Sequence, residues 1–414
     1  MGVSGLFKMR IALLHYAYVP VIGGVEFVME QHANLFTRRG HQVSVICGDG
    51  AAAEGAGSDV AVAVLPELSP SHRDCLSAHD SLGGDRVAFE RLKQHFLQRF
   101  REELAGIDVV FVHNVMTMHF NLAATAALAE LATELEHEPP KFVNWIHDLA
   151  AINPDFGLEK QLEATPMNLL TQTLPGFENV AISPKRQRQF ADLTGVKRRQ
   201  CPVIPNGVEY LRLFKLTKPV RELVRRLGVL HRDVVIIHPT RIVRRKNIEC
   251  GVRVLAELKK AGHSCLYLVT GAPDPHNAES QAYGDELRCL VKELDVEQEF
   301  LFVSERFRVS DADLIGLYNV SDLLFLPSKQ EGFGLPLLEA GLFRLPVFCP
   351  RLEPMQSILK HNVNLFDLEE SAQSIAGKVI QALNNNTGYH ARKEVITRYS
   401  WERLFDEKIE PTFL

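Results

Sequence analysis

The chain has 414 residues, enough for about two to three domains at roughly 150 residues each. Apolar residues make up 46% and charged ones 23%, with 27 Gly and 21 Pro, which excludes disorder, a collagen repeat or a coiled coil as the main body. The 46 basic and 51 acidic side chains leave a formal net charge of −5, so no overall basic field for nucleic acid is expected.

The opening stretch, Met1 to Lys8, precedes an apolar run, Ile11 to Leu14, that is too brief for a signal segment. Elsewhere no apolar run approaches the ~18–20 residues needed to span a bilayer. The 7 cysteines are scattered and form no C-x-x-C pair, which predicts free thiols in a reducing cytoplasm rather than disulfides or a structural zinc site.

Met9 to Leu14 reads as a strand ending before His15. A loop with Pro20, Gly23 and Gly24 follows, and then Val25 to Arg39 places Val25, Val28, Met29 and Phe36 at near-helical spacing. Gly40 stops that helix, and Gln42 to Cys47 is the next strand. Strand, glycine turn, helix and strand make a βαβ unit, whose crossover favours a parallel sheet. Residues 48–57 form a small-residue loop with no reason to pack, and strands recur at Val109 to Val112 and Phe142 to Ile146, each followed by a His (His113, His147).

The pattern then restarts. Strands at Val234 to Ile237, Leu266 to Val269, Phe300 to Val303 and Leu323 to Leu326 alternate with helices at Asn247 to Lys260, Gln281 to Leu294, Ala312 to Val320 and Gly334 to Phe343. Four βα units in tandem predict a second doubly wound α/β domain. The seam falls near Pro202 to Leu216, at the turn signal Ile204-Pro205-Asn206-Gly207. The halves share architecture, not residues. Two such domains are expected to face one another across a cleft, because ligands of open parallel sheets bind beyond the strands' carboxyl ends.

Arg241 and Lys246 come after the strand ending His238-Pro239-Thr240 and before a helix. Two cations at a helix N-terminus make an anion site, with a diphosphate as the natural guest. The competing reading is a solvated charge run, and the position after a strand weighs against it. The second site is Glu331-Gly-Phe-Gly-Leu-Pro-Leu-Leu-Glu339, in another strand-to-helix loop. Gly332 and Gly334 allow close backbone approach, and Phe333, Gly334 and Leu335 offer N–H donors. Glu339, among Leu337, Leu338 and Ala340, needs a partner; ribose hydroxyls and a structural salt bridge both satisfy that.

These residues resemble the retaining nucleotide-sugar glycosyltransferases of family 4, which have the two-Rossmann GT-B fold. Its specific marks here are E-x7-E (Glu331 to Glu339) and R-x4-K (Arg241 to Lys246). Weaker ones, in the family's order, are Gly23-Gly24-Val25-Glu26, His147-Asp148, Ile204-Pro205-Asn206-Gly207-Val208, Gly271 and Tyr399-Ser400-Trp401-Glu402. The resemblance implies an acceptor-side domain over 1–205 and 392–414, whose C-terminal helix crosses back to it, and a nucleotide-sugar domain over 206–391. It implies that Arg241 and Lys246 hold and neutralise the departing diphosphate. Glu339 would bind the ribose, and Glu331 with the Phe333, Gly334 and Leu335 backbone would touch sugar and phosphates. His147 would reach the donor sugar, Gly23 and Gly24 would close over the phosphates, and the base would lie near Val303 to Arg306. Two departures stand beside the nucleotide lobe. Arg344-Leu345-Pro346 lacks the usual glycine, and Arg351-Leu352-Glu353-Pro354-Met355 replaces a Gly-Gly-x-Pro-Glu turn.

Asp311-Ala312-Asp313 matches a D-x-D metal motif, but Ser310 and Asp311 precede an apolar-periodic helix, so N-capping explains them. His113-Asn114 is equally readable as cleft lining or as a satisfied core or loop histidine. No nucleophile elbow, P-loop or G-x-G-x-x-G is present. The basic run Lys185 to Arg199 reads as a solvated helix face ahead of a weak contact for anionic lipid or an anionic acceptor.

The expectation is therefore a cytoplasmic, metal-independent retaining hexosyltransferase without a cofactor, using a UDP- or GDP-linked sugar as donor and an unnamed hydroxyl as acceptor. An epimerase or phosphorylase on the same architecture, or a non-catalytic paralogue, are the alternatives. Donor base, donor sugar, acceptor and oligomeric state are not written in the sequence.

Overall fold

The computed structural model describes residues 8–51, 60–136, 138–158, 160–273 and 278–414. Most of the small-residue stretch 48–57 lies outside them; Gly48 and Asp49 end a strand. The chain divides into two compact units, residues 1–208 with 399–414, and residues 209–398.

The first unit is built on six parallel strands: β1 (Arg10–Ala17), β2 (Gln42–Asp49), β3 (Ala61–Val64), β4 (Val109–His113), β5 (Lys141–Ile146) and β6 (Phe177–Ala181). Their spatial order is β3-β2-β1-β4-β5-β6, with Ile11 paired to Val43 on one side and to Val109 on the other. Strands covered on both faces read as continuous apolar runs. Successive β1 side chains therefore feed different cores. Ile11 and Leu13 pack with Val28, Met29 and Phe36 of the helix Gly24–Arg38. Ala12 and Leu14 pack with Phe96, Phe100, Leu128 and Leu131 of the helices Val87–Glu103 and Leu122–Glu134.

The chain end completes the first of these faces. Helical stretches Trp401–Leu404, Phe405–Ile409 and Glu410–Phe413 bury Trp401, Phe405, Ile409 and Phe413 in the same core as Ile11. The Trp401 ring lies where a side chain on Gly207 would stand, 2.6 Å from an ideal Cβ. The glycine of the Asn206-Gly207 turn is thus demanded by a close approach.

The second unit has β7 (Val234–His238), β8 (Cys265–Val269), β9 (Phe300–Phe302), β10 (Leu323–Phe325), β11 (Val347–Pro350) and β12 (Asn364–Phe366). Their order is β12-β11-β10-β7-β8-β9, again all parallel. Val234 and Ile236 face the helices Ile248–Lys260 and Ala372–Asn384. Val235 and Ile237 face the helices Lys218–Leu227, Asp311–Val320 and Leu335–Leu342.

Both sheets have the doubly wound order in which the first strand sits beside the fourth. At β1/β4 and at β7/β10 the connections leave toward opposite sides, opening a crevice beyond the strands' carboxyl ends. The α/β class with two Rossmann-like units is as the sequence predicts. The short edge strands β3 and β6 carry no alternation strong enough to mark them, and His113 lies inside β4 rather than after it.

Candidate active site

In the second unit the crevice between β7 and β10 gathers the predicted cations and the first acidic residue. Beyond β7 the chain runs through Thr240 and Arg241 into a tight turn, Arg244–Lys246, before the helix that starts at Ile248. Beyond β10 it runs through Pro327 and Ser328 to Glu331. The two loops are tied together. Asn247 Nδ2 donates to the Pro327 carbonyl at 3.1 Å, Lys329 N to the Arg245 carbonyl at 2.8 Å, and an Arg245 guanidinium N–H to the Gln330 carbonyl at 3.2 Å.

Lys246 Nζ lies 2.5 Å from Glu331 Oε1, which also accepts from Ser328 Oγ at 2.6 Å; Arg245 stands 3.7 Å from the other carboxylate oxygen. The Lys246 and Glu331 side chains are only 13% and 8% exposed, so each neutralises a charge that would be expensive to bury alone. Arg241 differs. It is exposed, and its side chain has no ion pair or hydrogen bond among the described residues. One cation is engaged and one is available to an anionic guest.

Gly271, just after β8, lets these backbones meet: an ideal Cβ there would stand 2.0 Å from the Thr240 carbonyl oxygen and 2.9 Å from Arg241 Cα. Ser304 Oγ donates to the Gly271 carbonyl at 2.8 Å, and that ties in the turn Val303–Glu305. Val303 itself is fully buried, so the accessible part of this turn is the residues that follow it. Beneath the loops, His238 Nδ1 and Tyr267 OH are 2.6 Å apart, and burial, then the Lys246 charge, push His238 down to about 3.

In the glycine loop, Gly334 has φ of +96° and opens the helix Leu335–Leu342, while Phe333 is exposed. Glu339 is half-buried and accepts from Tyr318 OH at 2.7 Å. Its intrachain partner is thus a phenol, not the salt bridge weighed for it. Burial, then that carboxylate, push the Tyr318 hydroxyl upward in pKa. Ser310 and Asp313 form a reciprocal capping box, the role the sequence gives to this acidic pair.

In the first unit the β1/β4 crevice holds histidines. His15 Nδ1 donates to the His113 carbonyl at 2.8 Å, and His113 Nδ1 lies 3.0 Å from His147 Nε2. Asn114, at φ +61°, accepts from the backbone N–H of both His147 and Asp148 at 2.9 Å through Oδ1. Arg186 ties the same turn, 2.7 Å from Asp148 and 3.2 Å from the His147 carbonyl. Burial pushes His147 to about 3 and His15 to about 4, the latter partly offset by the His113 carbonyl. His15 Nε2 stands 3.7 Å from Glu26 Oε1. That is beyond hydrogen-bond reach, and a His15 kept neutral by burial makes no ion pair there at neutral pH. Gly23 is extended, and a Cβ on it would stand 2.1 Å from Glu26 Oε2; around Gly24 there is open space.

The structure thus brings Arg241, Lys246, Glu331 and Gly271 into one loop cluster, with Gly334 and Glu339 further along the same βα connection. His147, Gly23 and Gly24 belong to the other unit. Ser328, Asn247 and Tyr318 are the partners that sequence reading passes over, because nothing local distinguishes a serine or asparagine that holds a loop, and Arg186, read as part of a solvated helix face, is instead paired with Asp148.

Known families match most of the chain. Residues 22–210 match the model described as Glycosyltransferase Family 4, and residues 220–399 that described as Glycosyl transferases group 1. The chain belongs to the family 4 glycosyltransferases. Among relatives of this family, an uncharacterized glycosyltransferase of Methanocaldococcus jannaschii is 24% identical, covering 97% of each chain. The mannosylglucosylglycerate synthase of Thermotoga maritima is 22% identical over 85% of this chain and 83% of its own. The N-acetyl-alpha-D-glucosaminyl L-malate synthase of Bacillus anthracis is 23% identical over 72% and 75%. A solved sucrose-phosphate synthase of Thermosynechococcus elongatus aligns over 98% of each chain at 16% identity, with a TM-score of 0.39. The family 4 motifs Glu331–Glu339 and Arg241–Lys246 fall inside the second matched region. As the sequence leads one to expect, the chain is a glycosyltransferase, and no helix among the described residues is long and apolar enough to cross a membrane.

Proposed function

We propose that this glycosyltransferase moves a hexose from a UDP- or GDP-linked donor to an acceptor hydroxyl with retention at the anomeric carbon. The diphosphate leaving group is neutralised by Arg241 and Lys246 without a metal ion or other cofactor. The observation that carries the reading is the loop cluster at β7/β10. An exposed, unpaired Arg241 and a Lys246 already oriented by Glu331 lie on the turn that leads into a helix, whose dipole favours an anion. On this reading Glu339 takes the ribose hydroxyls, and Glu331 with the Phe333–Leu335 backbone contacts sugar and phosphates. The base lies near the turn from Val303 to Arg306. From the first unit, His147 meets the donor sugar, and Gly23-Gly24 covers the phosphates. The sequence places no second carboxylate opposite Glu331, and a double-displacement site would need one at roughly 5–5.5 Å. Front-face attack assisted by the departing phosphate fits instead. The names of the relatives point to small polar acceptors, a glycerate glycoside and malate among them.

The test is transfer from UDP-glucose, UDP-N-acetylglucosamine and GDP-mannose to glucosylglycerate, malate and inositol 3-phosphate, with the anomeric product read by NMR. In whichever pair reacts, Arg241→Ala should lower turnover by about 10²–10³-fold, as losing one preorganised charge donor does. Near-wild-type turnover would overturn the assignment, and so would activity abolished by chelator and restored by manganese.

A further inference from the structure

His113 and His147 face one another with Nδ1 of the first 3.0 Å from Nε2 of the second. Burial keeps both rings neutral at physiological pH, so each carries one N–H, and the contact holds one shared proton. Two arrangements satisfy it. Either His113 donates from Nδ1, leaving the His147 proton on Nδ1, or His147 donates from Nε2, leaving the His113 proton on Nε2.

The surroundings of His113 separate the two. Its ring is wholly buried, and its Nε2 has no hydrogen-bond partner. A proton on Nε2 would be a buried, unsatisfied N–H, the rarer and more expensive kind of orphan; a bare lone pair is better tolerated. Nor does an aromatic face receive it. Trp145 and His32 are both tilted to the His113 ring, at 33° and 5.9 Å and at 56° and 5.3 Å, and neither meets it edge-on. His15 does not take it either: its Nδ1 donates to the His113 carbonyl, and its bare Nε2 makes no hydrogen bond with His113 Nε2. His147 Nδ1, by contrast, has no partner among the described residues and is not one of the enclosed unpartnered atoms, so it is the ring nitrogen open to a ligand.

We propose that His113 is a positioning residue that donates from Nδ1 to His147 and thereby fixes the His147 proton on Nδ1. His147 then presents an N–H, and the oxygen it meets must act as acceptor. Asn114 and Arg186 hold the His147 backbone while His113 sets the proton. This deepens the reading in which His147 meets a hydroxyl of the donor sugar. A hydroxyl accepting from His147 keeps its own hydrogen free for another group, which orients it.

The test is two-bond 15N–1H correlation of the full chain labelled at histidine, with His147 and His113 signals assigned from His147→Gln and His113→Gln. The expected spectrum shows a protonated Nδ1 and a bare Nε2 on both residues. A His147 protonated on Nε2 overturns the proposal. His113→Asp places a carboxylate acceptor at the same point and should move the His147 proton to Nε2 when ionised; a folded His113→Asp protein whose new carboxylate is ionised by its 13C shift and that keeps the His147 proton on Nδ1 alone also overturns it. If that variant does not fold, the wild-type spectrum decides alone. The readout contains no nucleotide and no transfer, so its failure is distinct from failure of the glycosyl-transfer reading.

Discussion

Arg241 and Lys246 are chemically alike in the sequence and unlike in the structure. Lys246 shares a nearly dry site with Glu331 and Ser328, while Arg241 is exposed and unpaired. Removing one partner of a buried pair leaves the other uncompensated, at about 3–5 kcal/mol when enclosure is complete. Here Ser328 and Arg245 soften the loss, so Lys246→Ala should destabilise the fold by about 2 kcal/mol. Arg241→Ala should lie within about 0.5 kcal/mol of wild type. Urea unfolding of the two variants checks this, and equal midpoints would remove the distinction. Glu339 belongs to the same scale. Its Tyr318 hydrogen bond leaves acceptor capacity on the carboxylate, so Glu339→Ala should weaken nucleotide affinity, read by calorimetry with UDP and GDP, more than Tyr318→Phe does.

At the scale of elements, what matters is where strands stop and how closely their loops approach. Four of the second unit's strands, β7 to β10, were legible to within a few residues, because apolar runs flanked by turn residues are the signature of a buried parallel strand, whereas the short β11 and β12 were not assigned. The tie between the loops was not legible. Gly271 stands among the resemblance's donor-binding marks, but nothing in the sequence shows that a side chain there would collide with the Thr240 carbonyl. Gly271→Ala should therefore separate the β7 and β8 loops, destabilising by about 1–3 kcal/mol or more and displacing Arg241. Denaturation and nucleotide titration of the variant would show both effects together. A stable variant with unchanged affinity would mean that the approach of the two loops does not matter to the site.

Across the whole molecule, the buried histidines govern the response to acid. Burial holds His32 and His147 at about 3 and His15 at about 4, against 6.5 for the unperturbed ring, and His113 is also lowered. Between those values and 6.5 the unfolded chain binds protons that the folded chain refuses. Stability is therefore full above 6.5 and falls as the pH drops through that window. Each group contributes about 1.4 kcal/mol per pH unit there. Urea unfolding from about pH 7 to pH 5 should show this decline. His32→Phe, which removes a ring that has no hydrogen bond, should make it shallower by one proton. A flat profile would mean that these rings are protonated in the folded state.

The amino-acid order by itself determined two doubly wound α/β units, the loop positions of Arg241, Lys246, Glu331 and Glu339, and the capping of Asp313, since periodicity, turn residues and capping chemistry act over a few neighbours. The tertiary structure alone decided which charges neutralise one another, that a phenol meets Glu339, that Trp401 needs Gly207, and that His113 faces His147. Those contacts join residues tens to hundreds of positions apart. They follow from the strand order at β1/β4 and β7/β10, which sets non-consecutive loops side by side.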